Sequence, residues 1–318
     1  MTQYSSEWPG QQGPEGVAYF VPSDSIVAGP RDKGLAASAL THDVRSIDDG
    51  DFLLFNTPYA VIAEDNGTVA HFNEVPELGL SRQRSAQEVV FGQLIVSSQT
   101  EREAADLVAI KPYNLLRGAV QEAGALHVVN GLVPGRTRPL SFEPLGFYRT
   151  PDGNQTGLIT RYDASVISQD NLFWDPERDP TELEASRAFH HAAVALGALH
   201  SHSLAHKDAQ VKNIARQNRG VRIVDLTDLR RMKDEGAAAD VVDDIGKYAS
   251  SLNHVDDADG RGGGNFARDY TDLFVDTFIP RYVSAINDKT SLLPHSARLS
   301  PENIEAIARD AASFDPYA

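Results

Sequence analysis

Apolar and polar positions in the first half of this chain predict β-strands. Residues 60–63 and 68–72 are two β-prone runs, and Asn66 and Gly67 lie between them. Both of these residues tolerate the positive φ angles of a tight turn, so the segment predicts a β-hairpin. The Gly-, Pro- and Ser-rich residues 8–23 before it indicate an extended or loosely ordered stretch.

Further strands are predicted downstream. Residues 89–96 and 107–111 are β-prone runs joined by a polar connection, which predicts a second hairpin. Residues 142–148 and 157–160 predict two more strands. These runs together indicate a β-rich region that ends near residue 163.

Helical spacing dominates the rest of the chain. Residues 115–130 carry apolar side chains at helical intervals. A longer helix is predicted at Pro180, which suits a first helical turn, and Thr181 with Glu184 has the signature of a capping box. The apolar stripe of that helix consists of Phe189, Ala193, Leu196 and Leu199. A last capped helix is predicted from Ser300 onward.

The composition is that of a globular protein without disulfides. The chain has 318 residues, 41% hydrophobic and 23% charged, so it can bury a core and is not disordered as a whole. No apolar run reaches the roughly 20 residues of a membrane helix, and residues 1–7 lack the features of a secretory signal. Cysteine is absent, which excludes thiol nucleophiles and thiolate zinc sites. We therefore expect a cytoplasmic protein that does not bind a membrane.

The chain is strongly acidic, with a formal net charge of −16 at pH 7. This charge disfavours a nucleic acid as the main partner, because phosphate backbones favour a clustered basic surface. It would attract a cationic substrate over long distances, but it equally fits an adaptation for solubility or salt. Net charge alone leaves both interpretations open.

The strongest chemical signal is the spacing of polar residues after His206. Asp208 follows His206 by two residues, and Asn213 follows Asp208 by five. Twelve residues after Asn213, a short β-prone run reaches Asp225. In kinases, an Asp and an Asn at this spacing orient the attacking hydroxyl and bind Mg²⁺, and a later Asp after a strand is a second Mg²⁺ ligand.

An upstream motif completes the pattern. The run Val-Ala-Ile-Lys ends in Lys111, which matches the strand lysine that contacts the α- and β-phosphates of ATP. Three motifs in this order resemble the protein-kinase-like superfamily, which includes the aminoglycoside and other small-molecule phosphotransferases. The resemblance implies an α+β, two-lobed fold with a small β-rich lobe at residues 81–163 and a large, mainly helical lobe at residues 164–318. Residues 1–80 would be a β-containing N-terminal extension, which either continues the small lobe's sheet or forms a separate β cap.

The resemblance also implies a reaction, the ATP-dependent transfer of the γ-phosphoryl group to a hydroxyl. Asp208 would be the base or orienter of that hydroxyl. Asn213 and Asp225 would hold Mg²⁺, and Lys212 would meet charge on the transferring phosphoryl group. For Lys212, a solvated loop lysine is the alternative interpretation.

Five residues would bind or organise the nucleotide in this resemblance. Lys111 would contact its phosphates, and Glu122 on the helix of residues 115–130 would pair with Lys111. Gly92 matches the end of the nucleotide-covering loop. Tyr162 and Asp163 lie where the inter-lobe hinge holds adenine by backbone hydrogen bonds. For Lys111 and Glu122, solvated surface charges are the alternative.

Departures from the family pattern concern the nucleotide-covering part of the chain. Residues 81–88, where the family has a Gly-rich loop, contain no glycine. The interval from Lys111 to Glu122 is 122 − 111 = 11 residues, which is short for the family. Small-molecule kinases use other polar residues in this loop, so the missing glycines weaken the protein-kinase interpretation more than the kinase interpretation.

The segment after Asp225 bears on the acceptor. It contains no Ala-Pro-Glu anchor, and Thr227 is its only hydroxyl up to residue 239. Asp244, which is expected to support the backbone of the catalytic loop, follows Asp225 by 19 residues. Lys207 stands where regulated protein kinases carry the arginine that reads an activation-loop phosphate. These features favour a small-molecule acceptor.

Other interpretations stay open. The chain could be an atypical Ser/Thr protein kinase that modifies itself, or a catalytically inactive kinase-like module that binds a nucleotide or a protein. A zinc or iron site is a further alternative, and its candidate ligands are His190, His191, His200, His202 and His206.

Two short motifs are not binding sites. Residues 256–260 resemble a calcium loop, but Val255 and Phe266 occupy its first and twelfth ligand positions. Residues 262–264 are three glycines without the Lys-Ser/Thr of a P-loop, so they indicate a flexible connection.

Overall fold

The fold is a sheet-containing unit and a mainly helical unit. The computed structural model describes residues 18–21, 40–47, 50–55, 69–74, 89–97, 104–114, 116–132, 139–149, 156–173, 180–217, 220–252 and 266–313. One compact unit comprises residues 1–79, 84–130 and 142–164, and the other comprises residues 80–83, 131–141 and 165–318. The predicted mixture of sheet and helix is confirmed, whereas the kinase-like arrangement of lobes and the boundaries at residues 80 and 163 stay predictions.

The first unit contains an eight-stranded antiparallel sheet in the order β1-β2-β3-β7-β8-β6-β5-β4. Its strands are β1 (Ala18–Val21), β2 (Leu40–Ile47), β3 (Gly50–Phe55), β4 (Val69–Glu74), β5 (Val90–Ser97), β6 (Ala104–Tyr113), β7 (Pro144–Arg149) and β8 (Thr156–Arg161). The strands before residue 80 lie at both edges of this sheet. Of the two alternatives for the extension, the continuation of the sheet is therefore the one observed.

The predicted hairpins have different outcomes. Residues 60–63 and the turn at Asn66 and Gly67 lie outside the described residues, and β4 pairs with β5. The hairpin of β5 and β6 is confirmed, and it runs from Val90↔Ile110 to Val96↔Ala104. Strand β6 continues past Lys111 to Tyr113, because Pro112 lies beyond the last residue that pairs with β5, where its missing N–H costs no hydrogen bond to that strand.

Helix α1 (Leu116–Gly131) follows β6 and confirms the predicted helix. Ala123 and Leu126 of the predicted apolar positions are buried. The start of the helix lies close to the end of the strand, since a Cβ on Gly118 would come within 2.8 Å of the Tyr113 ring. This short connection brings α1 directly back toward the sheet residue Lys111.

The second unit is mainly helical. Its helices are α2 (Asp170–Phe173), α3 (Glu182–Ser201), α4 (Ala237–Ser251), α5 (Phe266–Ile286) and α6 (Pro301–Ser313). Its strands are short, and they are β9 (Val166–Ser168), β10 (Leu204–Ala205), β11 (Ile214–Gln217), β12 (Gly220–Ile223) and β13 (Arg230–Arg231). They form two antiparallel sheets in the orders β12-β11-β9 and β10-β13.

Helix α3 is the core of this unit. Its predicted capping box is present: Glu184 N–H donates to the Thr181 hydroxyl at 3.3 Å, and Thr181 N–H donates to the Glu184 carboxylate at 3.0 Å. All four residues of the predicted apolar stripe are 0% exposed. Gly197 lets α5 approach, because a Cβ there would lie 2.7 Å from the Ala285 Cβ. The helix predicted from Ser300 is also confirmed, with Asn303 N–H donating to the Ser300 hydroxyl.

An aromatic cluster fixes α5 against α3 and α4. Phe189 of α3 meets Phe274 of α5 edge-on at 5.2 Å, and Tyr248 of α4 stacks on Phe278 of α5 with ring centroids 6.3 Å apart. In the described part of the chain, no helix has the length and apolar character to cross a membrane.

Candidate active site

The loop between β10 and β11 brings Asp208 and Asn213 together. The Asn213 amide donates to the Asp208 carbonyl at 2.8 Å and to Asp208 Oδ2 at 3.0 Å. The Gln210 amide donates to Asp208 Oδ1 at 2.7 Å. Both oxygens of the carboxylate thus accept a hydrogen bond from a neutral donor, which fixes the orientation of the group without adding a countercharge.

His206 joins this loop to the segment that carries Asp225. It is fully buried, its Nε2 lies 3.0 Å from the Val224 carbonyl, and the Asp208 N–H donates to its Nδ1 at 3.3 Å. This pair of contacts assigns the proton to Nε2, since Nδ1 must accept. Val224 N–H also donates to the Asn213 carbonyl at 3.0 Å. Two hydrogen bonds therefore tie the loop to the residue just before Asp225.

Asp225 itself has unusual backbone geometry. Its φ angle is 54°, a left-handed conformation that costs a non-glycine residue roughly 1–2 kcal/mol. The Thr227 hydroxyl donates to Asp225 Oδ1 at 3.0 Å. Backbone strain of this kind is concentrated at functional sites, where the surroundings hold it in place.

The ligand types at Asn213 and Asp225 fit magnesium. Mg²⁺ takes oxygen ligands, commonly one or two from the protein together with water and phosphate oxygens. Among the described residues, no group of three or more His, Cys, Asp or Glu side chains could hold a metal ion. One amide oxygen and one carboxylate suit Mg²⁺ in a nucleotide complex better than an all-protein zinc cage.

Asp244 of α4 holds the backbone of the loop, as the sequence predicted. Its Oδ2 accepts from His206 N–H at 2.7 Å, and its Oδ1 accepts from Lys207 N–H at 2.8 Å. His200 Nε2 lies 3.1 Å from Oδ2, and His200 Nδ1 lies 2.6 Å from the Tyr282 hydroxyl. Burial raises the pKa of Asp244, but the hydrogen bond with His200, the electrostatic effect of the two neighbouring histidines and the hydrogen bond from the His206 N–H outweigh it, so the pKa lies below its ordinary value.

The predicted pair of Lys111 and Glu122 is present in the first unit. Lys111 Nζ lies 2.9 Å from Glu122 Oε2, and the two side chains are 17% and 5% exposed. The ammonium also lies 5.6 Å from the centroid of the Tyr113 ring. A pair as buried as this loses much of its hydration, so it is weak evidence for stability and points to a use for an anchored positive charge.

The other nucleotide-binding candidates of the first unit lie on or beside the sheet. Gly92 is a buried residue of β5. Tyr162 N–H donates to the Leu107 carbonyl at 2.8 Å. The adenine-binding role implied for Tyr162 and Asp163 stays a prediction. The Tyr162 ring packs 4.9 Å from Phe91. Asp163 follows it at the end of this unit.

Lys212 belongs to the second unit and lies in a 3₁₀ turn, Val211–Asn213. Its carbonyl accepts from the Ser168 hydroxyl at 2.6 Å, which fixes the backbone there. Its ammonium makes no ion pair with a described residue, so the charge is available to an anionic ligand.

The sequence prediction missed several residues around the loop. Asp240, Asp243 and Lys247 contact Lys207, and Gln210 holds Asp208. One signal was present, because positions 240, 243, 244 and 247 share one helical face. The expected role of Asp244 indicated that this face meets the loop, but nothing in the sequence showed that Asp240, Asp243 and Lys247 would contact Lys207.

Comparisons with known proteins assign no family. No family model matches the chain, and no curated protein matches it. Among solved structures, one match is described as WaaP in complex with acyl carrier protein. It is 14% identical, has a TM-score of 0.40, and covers 74% of this chain and 89% of that chain. A similarity of this size identifies neither a family nor an activity.

Proposed function

We propose that this chain is a kinase-like phosphotransferase that moves the γ-phosphoryl group of ATP to a hydroxyl acceptor. The observation that supports it most is the bonded arrangement of the catalytic loop. Asp208 and Asn213 touch, and the loop is tied to the residue before Asp225 by two hydrogen bonds. These are the three residues whose spacing matches the kinase pattern.

Asp208 is the base or orienter of the acceptor hydroxyl in this proposal. A hydroxyl donates to a carboxylate oxygen, and a carboxylate whose rotation is restricted directs that hydroxyl along one line. The bonds from Gln210 and Asn213 restrict it in this way. After transfer, the proton of the hydroxyl resides on Asp208 until solvent removes it.

Asn213 and Asp225 hold the metal in this proposal. Bound Mg²⁺ would neutralise charge on the phosphate oxygens during transfer. The Thr227 hydroxyl orients the Asp225 carboxylate through its hydrogen bond. Lys212 places its ammonium one residue before Asn213, where it meets charge on the transferring phosphoryl group.

Lys111 binds the α- and β-phosphates, and Glu122 keeps its ammonium in place. An anchored cation stabilises phosphate charge without reorganising during the reaction, and the 2.9 Å ion pair supports this role. Gly92 has no side chain to obstruct a nucleotide above the sheet. The buried Tyr162 ring and the backbone of Asp163 complete the proposed ATP-binding set.

A small molecule is the acceptor that we favour. The segment from Asp225 to α4 is short and is folded in part as β13. The hydroxyl of Thr227 already donates to Asp225, so the segment offers little as a peptide platform or a regulatory site. The net charge of −16 makes cationic acceptors such as aminoglycosides a reasonable first class to test.

Melting temperatures and an acceptor screen test this proposal. MgATP should raise the melting temperature, and ATP without Mg²⁺ should raise it less, because ligands that bind only the native state stabilise it. ATP consumption should then be measured with aminoglycosides, sugars and basic proteins. A chain that MgATP does not stabilise contradicts the proposed function, and efficient turnover of proteins alone contradicts the proposed acceptor.

A further inference from the structure

A compact cluster of charges lies against the backbone of the Asp208 loop. We call it the loop clamp, and it consists of Lys207, Arg230, Asp240, Asp243 and Lys247. Lys207 Nζ lies 2.5 Å from Asp243 Oδ2 and 3.2 Å from Asp240 Oδ1. The Lys207 side chain is 21% exposed and that of Asp240 is 10% exposed. The Lys207–Asp240 pair is therefore largely shielded from solvent, whereas the side chains of Asp243, Lys247 and Arg230 are 36%, 40% and 44% exposed.

Helix α4 contacts the side chain, the backbone N–H and the backbone carbonyl of Lys207. Lys207 N–H donates to Asp244 Oδ1, and its carbonyl accepts from Lys247 Nζ at 2.5 Å. Residues 240, 243, 244 and 247 lie on one face of α4 because they are three to four residues apart. Four side chains of one helix thus hold one residue of the loop.

The conformation of Lys207 shows why such support is needed. Its φ angle is 70°, which is unfavourable for a residue with a side chain. An unfavourable conformation persists only when its surroundings over-determine it. Asp208 is the next residue, so the direction of its carboxylate depends on this bend.

The clamp also holds the segment after Asp225. Arg230 forms an ion pair with Asp240, and its strand β13 pairs with β10, directly before the loop. Met232 N–H donates to the Ser203 carbonyl at 2.7 Å. The loop and the segment where protein kinases carry their regulatory phosphate are therefore attached to the same helix face.

Two carboxylates face the three cations of the clamp. Asp240 contacts Lys207 and Arg230, and Asp243 contacts Lys207 and Lys247, whereas Asp244 lies 3.1 Å from His200. Burial lowers the pKa of Lys207, but hydrogen bonds and charges from Asp243 and Asp240 outweigh burial, so the pKa lies above its ordinary value. Lys207 consequently stays charged at neutral pH and is neutralised by fixed carboxylates.

We propose that Asp240 and Asp243 are positioning residues that keep the bend at Lys207 and Asp208 permanently formed, so that phosphorylation of the segment after Asp225 does not switch this site. In regulated protein kinases, a phosphate neutralises the cation at the position of Lys207. In this chain two aspartates of α4 perform that task. The claim that the bend positions Asp208 for catalysis rests on the proposed phosphotransferase function. The claim that the two aspartates keep the bend formed does not.

The structural test uses the full-length chain and needs no activity. The double variant Asp240→Asn/Asp243→Asn should exchange the backbone amides of residues 203–213 faster by about tenfold or more, the factor expected for the loss of a charge-assisted hydrogen bond. The matched control is Asp272→Asn/Asp276→Asn, which removes two exposed carboxylates of the same unit. It should leave exchange in residues 203–213 unchanged. If the amides of residues 203–213 exchange equally fast in the double variant and the wild type, Asp240 and Asp243 do not hold the loop.

The catalytic test measures ADP release from MgATP, with water as the probe acceptor. The double variant should lose about tenfold or more in kcat with KM for MgATP nearly unchanged, because the clamp acts on Asp208 and not on the nucleotide ligands. Asp243→Glu, which keeps a carboxylate at that position, should recover much of the rate. A rise in KM with kcat unchanged, or no change in either constant, overturns the positioning role.

Phosphatase treatment tests whether phosphorylation regulates the site. The rate of ADP release should be the same before and after the treatment. It should also equal the rate of protein whose mass shows no phosphate. A rate that follows phosphate content overturns the proposal. A wild-type chain that neither gains melting temperature with MgATP nor releases ADP contradicts the proposed function instead, and amide exchange then decides the clamp by itself.

Discussion

The candidate residues of the two units are held in place by different kinds of structure. In the first unit, Lys111 lies on β6 opposite Leu158 of β8, and Glu122 lies within α1, so regular backbone hydrogen bonds fix both residues. In the second unit, Asp208 lies on irregular backbone whose N–H groups bond to side chains such as Asp244. Side-chain substitutions should therefore leave the backbone of the first group in place and displace that of the second.

The largest expected effect is on turnover in Asp208→Asn. Loss of a positioned acid–base group costs roughly 10²–10⁴-fold in rate, whereas MgATP affinity should stay near that of the wild type. Turnover and MgATP-dependent melting temperatures should be measured side by side. Asp234→Asn is the control, because it removes an exposed carboxylate a short distance along the chain. Wild-type turnover in Asp208→Asn would falsify the assignment of the catalytic loop.

The free energy of unfolding tests most directly whether side chains support the backbone in the second unit more than in the first. Asp244→Asn should lower the free energy of unfolding by about 3–5 kcal/mol, because it removes a buried charge on which several donors converge. Glu122→Gln should cost less, about 1–2 kcal/mol, because the Lys111 side chain is 17% exposed and can regain part of its hydration, whereas the groups around Asp244 are fully buried. Denaturant titration of the wild type and both variants measures the two losses in the free energy of unfolding. Equal losses would contradict the view that side chains support only the second unit's loop.

Asp225→Asn separates metal binding from chemistry. The variant keeps an oxygen that can accept from Thr227 but loses the charge that favours Mg²⁺, so MgATP affinity should fall by at least about tenfold. Melting temperature without nucleotide should change little. Isothermal titration with MgATP measures the affinity. An affinity equal to that of the wild type would rule out Asp225 as a ligand.

The smallest effect concerns acid stability, where two groups act over different pH ranges. Burial and the charges of His190, Arg216 and Arg187 lower the pKa of His191 to about 4. The unfolded chain therefore binds more protons than the folded one between about pH 6.5 and 4, and stability falls as the pH drops through that range. The pKa of Asp244 lies below its ordinary value of 3.8, so the stability that its carboxylate contributes is lost only as the pH falls below about 3.8.

His191→Gln tests this separation. The variant cannot be protonated at this position, so its melting temperature should fall less than that of the wild type between pH 7 and pH 5. His295→Gln is a matched control at an exposed histidine. Parallel pH profiles for the wild type and His191→Gln would show that His191 does not set the acid sensitivity in this range.

Local patterns accounted for much of what the sequence predicted. The capping box at Thr181 and Glu184 forms because its partners are three residues apart, and Asn213 reaches Asp208 across only five. The stripe on α3 is buried because 3.6-residue periodicity places its members on one face. Where the sequence alone was less successful, longer-range pairing decided the result: β6 runs on past Lys111, because Pro112 and Tyr113 pair with β8.

The sequence by itself determined the hairpin of β5 and β6, the strands β7 and β8, the helices α1, α3 and α6 and the residue types of the proposed site, because periodicity, capping and short spacing are local properties. Only the tertiary structure decided which elements meet. The edge positions of β1 and β4, the ion pair of Lys111 with Glu122 and the contacts of Lys207 with Asp240 and Asp243 all arise from packing. Lys207 lies 33 and 36 residues from those two aspartates. Such contacts depend on how a whole helix face is oriented, and that orientation is set by burial of the neighbouring face, which carries Val241, Ile245 and Tyr248.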